Sequence, residues 1–188
     1  MRLGIVVVEY DPNWPRLFEG LRKPIADAVS DIVISVAHVG STAVPGLAAK
    51  PVIDMDVIVR ERDVATAIAR MQALGYEHLG DLGIPERDAF RASSGAPAHN
   101  LYVCPSGSQA LANHLGLRDY LRTRPDAVRE YGELKKRLAL ESPNDAEAYV
   151  RGKTRFIIAI LREIGFSERA LAEIEALNPP PPAKSGAP

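Results

Sequence analysis

The chain has 188 residues, of which 46% are hydrophobic and 25% are charged, values that are ordinary for one globular domain with a buried core. Its 23 Lys and Arg residues nearly balance its 24 Asp and Glu residues, so no overall basic field is available to hold long nucleic acid. The single cysteine, Cys104, excludes an internal disulfide and a thiolate zinc site. No apolar run approaches the roughly 18 residues of a membrane span, and the N-terminal run that ends at Glu9 is too short for a signal peptide. We expect a cytoplasmic protein that does not bind membranes.

In chain order, strands alternate with helices over the first two-thirds, and helices alone follow. Short β-branched runs are typical of strands, which we place at residues 5–10, 32–39, 52–59 and 100–104 and near Phe90. Apolar residues at helical spacing, bounded by caps, prolines and glycines, place helices from Asp11 onward and at residues 62–74, 108–124, 125–141, 145–164 and 167–177. Pro24 is expected to kink or break the first helix. The sequence therefore predicts an α+β domain, with a small mixed sheet over about residues 1–107, a helical half over about 108–177 and a disordered Pro-rich tail over 178–188.

Two aspartates interrupt the third apolar run. Residues two apart on a strand project from the same face, so the carboxylates of Asp54 and Asp56 point the same way. Two like charges in so apolar a strand are costly unless a cation lies between them, and hard carboxylate oxygens suit Mg²⁺ or Mn²⁺. An exposed strand face with two solvated acids is the plainer alternative. Asp54 and Asp56 are thus candidate catalytic residues and metal ligands.

A glycine and two small hydroxyl residues, Gly40, Ser41 and Thr42, follow the second predicted strand. Such a segment allows phosphate oxygens to approach backbone N–H groups closely, although an ordinary turn would also use a glycine here. Combined with the Asp-x-Asp strand, it places a phosphate site beside a carboxylate-bound cation. Phosphoryl and nucleotidyl transfer require that arrangement.

These residues resemble the core motif of the nucleotidyltransferase superfamily, through Val39-Gly40-Ser41 and Asp54-Met55-Asp56. The chain is more closely similar to the GrpB family, bacterial proteins with that fold, and the matching segments extend to about residue 165. They are residues 10–15, 38–47, 50–54, 83–85, 99–101, 118–122 and 152–153. The chain also resembles the C-terminal extension of some bacterial dephospho-CoA kinases. The resemblance implies a nucleotidyltransferase-like fold, a cleft between sheet and helical half, and nucleotide- or CoA-related chemistry.

One departure from the superfamily pattern concerns the metal site. Active members usually add a third carboxylate from a neighbouring strand, whereas the predicted strand at residues 100–104 has none. Either His99 or Asn100 completes the coordination, or the two aspartates are sufficient without a third protein ligand. The departure leaves catalysis itself an open question.

Cationic side chains elsewhere are candidates for binding phosphate, because loops around a sheet carry binding groups and arginine recognises phosphate bidentately. The candidates are Lys50, Arg87, Arg91, His114, Arg118 and Lys153. Solvated surface charge is the alternative for Lys50, Arg87 and Arg91, and a local helix pair with Asp119 is the alternative for Arg118. Lys153 points either to the cleft or to water. His38 is interpreted as a core histidine.

Three functions follow from these patterns. The first is metal-dependent handling of a nucleoside triphosphate, with nucleotidyl transfer as its reaction. The second is a module that binds a nucleotide or a CoA-type ligand without turnover, as the missing carboxylate suggests. In both, the partner is a nucleotide or another phosphorylated small molecule. The third, a purely structural or interaction domain, has no residue that positively supports it.

Overall fold

The computed structural model describes residues 4–92 and 95–181, and within them five strands form one mixed sheet in the order β1-β2-β5-β4-β3. The strands are β1 (Val33–Val39), β2 (Ile53–Val59), β3 (Glu77–Gly80), β4 (Asp88–Arg91) and β5 (His99–Pro105). The helices are α1 (Trp14–Ala28), α2 (Val64–Ala73), α3 (Gln109–Arg122), α4 (Pro125–Glu141), α5 (Ala146–Glu163) and α6 (Glu168–Leu177). The predicted α+β class, a mixed sheet followed by helices, is confirmed.

The pairing of β2 with β5 positions the two aspartates. These strands run parallel, and the other neighbouring pairs are antiparallel. The register sets Asp54 beside Asn100 and Asp56 beside Tyr102. Because side chains two residues apart share a face, all four project from the same side of the sheet.

Helices cover the two faces of the sheet differently. α1 and α2 pack on the face that carries Met55, Val57 and Leu101, which forms the largest apolar core. The opposite face meets α3 through Ile58, Cys104 and Leu111. Beyond it, α4 and α5 pack with Val44 and Leu47 in a second core. The face that carries Asp54 and Asp56 is therefore turned toward the helical half.

Three local expectations differ from the structure. Residues 5–10 form only an isolated bridge, Val8 to Ala49, rather than a strand, and Val6 is 56% exposed, because no sheet face is available to bury it. β3 was not predicted, since Glu77–Gly80 contains no β-branched residue. α1 continues through Pro24, so of the two outcomes expected there the break does not occur. Its buried face against the sheet offsets the helical hydrogen bond that the proline removes, a loss of about 3 kcal/mol.

The segment after α6 lies against α5. The carbonyl oxygen of Asn178 accepts a hydrogen bond of 2.7 Å from Thr154 Oγ1, and Arg151 donates to the next carbonyl. Residues 178–181 are thus anchored where a disordered tail was predicted, and residues 182–188 of that prediction lie outside the described residues. No helix of the described part is long and apolar enough to cross a membrane.

Candidate functional site

A cleft of about 390 Å³ separates the sheet face that carries Asp54 from the helical half, which is within the usual size range of small-molecule sites. Its walls carry many polar groups. They include Ser41, Lys50, Asp54, Arg87, Asn100, Tyr102, Asn113, His114, Lys135, Tyr149 and Lys153. One acidic group of the sheet, Asp54, thus faces cationic groups from the loops and helices.

The turn after β1 fits closely against Asp54. Gly40 has φ 68° and ψ −169°, a backbone region that is essentially restricted to glycine. A Cβ atom at this position would overlap the Asp54 carboxylate. Glycine is therefore required twice, for the backbone conformation and for the approach of the carboxylate to the turn.

Asp54 is the acid nearer the turn. Its Oδ1 accepts a hydrogen bond of 2.7 Å from Asn100 Nδ2 on β5. Burial raises the pKa of Asp54, although this hydrogen bond and the neighbouring Lys153 act in the opposite direction. Asp56 adds to the rise by repulsion. The site therefore holds negative charge at a cost that a cation would relieve.

Asp56 lies deeper and is fully buried. His114 Nδ1, on α3, donates to its carboxylate at 2.9 Å from Oδ2 and 3.2 Å from Oδ1. The predicted phosphate ligand His114 is thus held by the predicted metal ligand Asp56. The His114 ring still borders the cleft, so the predicted phosphate ligand and the predicted metal ligand are in direct contact.

The donors at this point fit a divalent cation that arrives together with phosphate. Residues 4–92 and 95–181 contain no group of three or more His, Cys, Asp or Glu side chains arranged as a metal site. Mg²⁺, however, is commonly held by one or two carboxylates, with substrate phosphates and water as the other ligands. Asp54 and Asp56 project from one face, Asp54 lines the cleft, and Asn100 points its amide nitrogen at Asp54.

Lys135, which the sequence analysis missed, reaches the turn from α4. Its Nζ donates to Ser41 Oγ at 2.8 Å, and the side chain is almost fully buried. Burial, followed by repulsion from Lys153, lowers the pKa of Lys135 to about 6. A signal for it exists, since Lys135 occupies an apolar position of the buried α4 stripe formed by Val128, Tyr131 and Ala139.

Two predicted lysines lie on the same side of the cleft. Lys153 Nζ is 4.7 Å and Lys50 Nζ 5.5 Å from the centre of the Tyr149 ring. Burial, and then repulsion from Lys50, lower the pKa of Lys153 to about 8. Crowded ammonium groups of this kind attract an anion, which would raise the pKa of Lys153 again.

Arg87 enters the cleft from the loop before β4. Its guanidinium carbon lies 4.5 Å from the centre of the Tyr102 ring. Arg87 Nε is buried, and it has no acceptor among the described residues. Because a buried donor without a partner is costly, this group is suited to an anionic ligand.

Arg118 lies beneath the turn rather than in the main cleft. It donates to the carbonyl oxygen of His38 at 3.1 Å and to Asp119 at 2.7 Å. The local pair with Asp119 that the sequence offered as an alternative therefore forms. Arg118 also lines a small cavity of about 160 Å³ next to Gly40 and Asp54, so it remains close to the site.

Two predicted site residues, Thr42 and Arg91, lie elsewhere. Thr42 is buried, and its hydroxyl is engaged by Val52 O at 3.2 Å and by His38 at 3.0 Å, so it supports the turn from inside. Arg91 pairs with Glu77 across β3 and β4 at 2.8 Å and does not line the cleft. His38 itself is a core residue, as predicted. Its burial lowers its pKa to about 4, which keeps the ring neutral.

His99 was predicted as a metal ligand and is on the wrong face. It lies beside Ile53 in the parallel register, whereas Asn100 lies beside Asp54. Both of its ring nitrogens are engaged, by Tyr76 Oη at 2.9 Å and by Pro97 O at 2.7 Å. The alternative residue, Asn100, is the one that contacts Asp54.

Comparison with known proteins places this site in a family. The profile described as "GrpB protein" matches residues 4–163. The chain belongs to the GrpB family. A GrpB-family relative, the UPF0157 protein YqkA of Bacillus subtilis, is 32% identical over 154 residues, which cover 81% of this chain and 45% of the relative. A dephospho-CoA kinase of Mycolicibacterium paratuberculosis is 26% identical over 178 residues, covering 81% of this chain and 44% of that protein. The chain thus spans under half the length of these two relatives.

Solved structures agree with the assignment to the GrpB family. The crystal structure of GrpB from Enterococcus faecalis superposes with a TM-score of 0.75 at 34% identity, covering 89% of this chain and 98% of that one. A Cid1 poly(U) polymerase mutant bound to MgATP gives a TM-score of 0.52 at 11% identity, over 87% of this chain and 54% of that one. The GLD-2/RNP-8 complex gives 0.54 at 12% identity, over 86% and 55%. The last two show that the fold is that of the nucleotidyltransferases.

Proposed function

We propose that this GrpB protein binds a nucleoside triphosphate together with Mg²⁺ in the cleft, as the substrate of a nucleotidyl transfer. The observation that carries the proposal is the junction of Gly40, Ser41 and Asp54, where a glycine turn, whose serine accepts a hydrogen bond from Lys135, touches a partly buried carboxylate. On a nucleotidyltransferase-like fold, that junction is suited to phosphate beside a cation.

Positive charge in the cleft favours phosphate as the ligand. Lys50, Lys135, Lys153 and Arg87 all line it, and lowered lysine pKa values together with an unpartnered Arg87 Nε indicate that their charges are not balanced from within. Phosphate oxygens would supply the missing acceptors and form charge-assisted hydrogen bonds. Ser41 would then add a hydroxyl at the turn.

Asp54 and Asp56 would hold the cation, with Asn100 beside them. When bound there, Mg²⁺ supplies charge neutralisation at the phosphates and polarises the phosphorus under attack. Asn100 donates a hydrogen bond to Asp54 and His114 donates one to Asp56. Since these residues form no three-ligand site, we expect Mg²⁺ to bind tightly only with the nucleotide.

The transfer would follow the usual stoichiometry. An acceptor hydroxyl or amine bonds to the α-phosphorus, the bond from that phosphorus to the bridging oxygen breaks, pyrophosphate leaves, and the acceptor proton passes to water. Lys135, Lys153 and Arg87 would stabilise charge as it moves onto the leaving group.

Calorimetry tests the binding part of the proposal. We expect ATP with Mg²⁺ to bind the wild-type protein and to bind at least about tenfold more weakly to Asp54→Asn and to Asp56→Asn, because each loses a cation ligand. Asp27→Asn, an exposed α1 change next to Lys23, is the matched control and should bind as wild type does. Equal binding by all four proteins would reject the site.

A second candidate is a module that binds the same ligands without turnover. It is favoured by β5, which places Asn100 and Tyr102 beside the aspartates where active superfamily members carry a carboxylate. Because a relative is named dephospho-CoA kinase, CoA and dephospho-CoA belong in the binding panel. Release of pyrophosphate that depends on Asp56 would reject this candidate, and tight binding with no release would support it.

A further inference from the structure

A second cavity, of about 450 Å³, opens beside the cleft. The two cavities share five lining residues and are therefore adjacent. The shared residues are Ile84, Asn113, His114, Ile174 and Asn178. A ligand in the second cavity would therefore lie next to the phosphate-binding groups without having to displace them.

The chemistry of this second cavity is the opposite of that of the cleft. Its walls are mainly apolar, with Ile84, Ala110 and Leu177 among them, and none of the described residues that line it is lysine or arginine. Its fully charged side chains are Glu86 and Glu173, both exposed. Anions are thus attracted to one compartment and repelled from the other.

One wall of the second cavity comes from α6 and the residue that follows it, through Glu173, Ile174, Leu177 and Asn178. This helix (Glu168–Leu177) lies beyond residues 4–163, the part of the chain that matches the GrpB profile. The phosphate-binding groups, by contrast, all lie inside the match. The second cavity is therefore built partly from a segment that the family profile does not include, which suits a role in selecting a particular ligand.

We infer that the second cavity binds a small organic amine with an apolar body, next to the nucleotide. The apolar walls would bury the body of the molecule, and the two carboxylates would attract the ammonium group. The inference rests on the proposed nucleotide site, for which this amine is the second ligand. Polyanions such as an RNA end are disfavoured there, since they would meet Glu86 and Glu173, and the described residues of the cavity walls include no lysine or arginine. The described basic group nearest to Glu173 is Arg169, at 4.0 Å on the exposed side of α6.

Three probes of equal size test this assignment. Phenethylamine, 2-phenylethanol and phenylacetate share a phenyl ring and differ in charge, and each is titrated by ligand-observed NMR into the full chain saturated with Mg²⁺ and α,β-methylene ATP. We expect phenethylamine to bind most tightly and phenylacetate least. Binding of phenylacetate at least as tight as that of phenethylamine, or binding of a short single-stranded RNA in competition with phenethylamine, would overturn the inference.

Charge reversal supplies the matched variants. Glu86→Lys/Glu173→Lys should weaken phenethylamine binding on the order of tenfold and strengthen that of phenylacetate. Glu130→Lys/Glu175→Lys makes the same charge change at exposed helix residues that line neither cavity, and it should leave both affinities near the wild-type values. Equal effects of the two double variants would show a general charge effect and reject the amine site.

Nucleotide binding distinguishes failure of the proposed amine site from failure of the proposed nucleotide site. If α,β-methylene ATP binds while phenethylamine does not, only the second-cavity inference fails. If the nucleotide itself does not bind, the proposed function fails as well. Thermal unfolding of each variant, measured alongside, identifies any loss that is due to misfolding.

Discussion

Replacing Gly40 by alanine tests the junction on which the proposed site depends. The residue has φ 68° and ψ −169°, and alanine in that region costs about 1–3 kcal/mol. Its Cβ would also displace the Asp54 carboxylate, which lies in the same space, and loss of the Asn100 hydrogen bond adds about 1–3 kcal/mol. We therefore expect Gly40→Ala to lower the free energy of unfolding by about 3–4 kcal/mol, or the Tm by about 10 °C.

A control and a double-mutant cycle separate the two costs. Gly75 also has positive φ, 91°, but nothing lies within 4 Å of a Cβ built there, so Gly75→Ala should cost only about 1 kcal/mol. In an Asp54→Ala background the carboxylate is gone, and Gly40→Ala should cost about 1–2 kcal/mol less than in wild type. Urea unfolding measures all of these values. A Gly40→Ala cost no larger than that of Gly75→Ala, or an additive cycle, would refute the close fit of turn and acid.

Three further predictions concern individual side chains. The pKa of Lys135 is lowered from 10.5 to about 6, so between these two pH values the unfolded chain binds more protons than the folded one, and the free energy of unfolding rises with pH. Lys135→Met should remove this slope, which amounts to up to about 1.4 kcal/mol per pH unit. Urea unfolding at about pH 7 and pH 9 measures the slope, and an unchanged slope in the variant would contradict the prediction. Arg87→Met should weaken ATP binding about tenfold or more in calorimetry with no loss of stability, since its buried Nε has no acceptor among the described residues. Thr42→Val should do the reverse, costing about 1–2 kcal/mol of stability with ATP affinity unchanged, because its hydroxyl is engaged by Val52 O and His38.

The sequence predicted the strands and helices whose signals are local. β2, β5 and the four last helices were placed to within a few residues, because β-branched runs, caps such as Ser108, and prolines such as Pro125 act on their own segments. Two other segments were predicted wrongly: residues 5–10 do not form a strand, and the strand Glu77–Gly80 was not predicted. Whether an extended segment joins a sheet depends on a partner elsewhere in the chain, which the segment itself does not encode.

The candidate site shows the same division. Gly40, Ser41, Asp54 and Asp56 could be predicted because they are adjacent residues of two short motifs. His99 was assigned wrongly because the parallel register, which sets Asn100 and not His99 beside Asp54, is not visible in one sequence.

Lys135 was missed because a lysine in an amphipathic helix is usually solvated. Lys135 contacts Ser41 only because α4 packs against the turn. The sequence does contain a signal, because Lys135 occupies an apolar position of the helix. Recognising it requires the expected burial of each position to be considered together with the helical spacing.

The hydrogen bond from Lys135 to Ser41 joins residues that are 94 positions apart. A nascent chain that has left the ribosome only as far as α3 would carry the glycine turn and both aspartates, but no ammonium group for the turn. Newly synthesised protein would thus carry Lys50 and Arg87 of the cleft first, and would gain Lys135 and Lys153 only as α4 and α5 emerge.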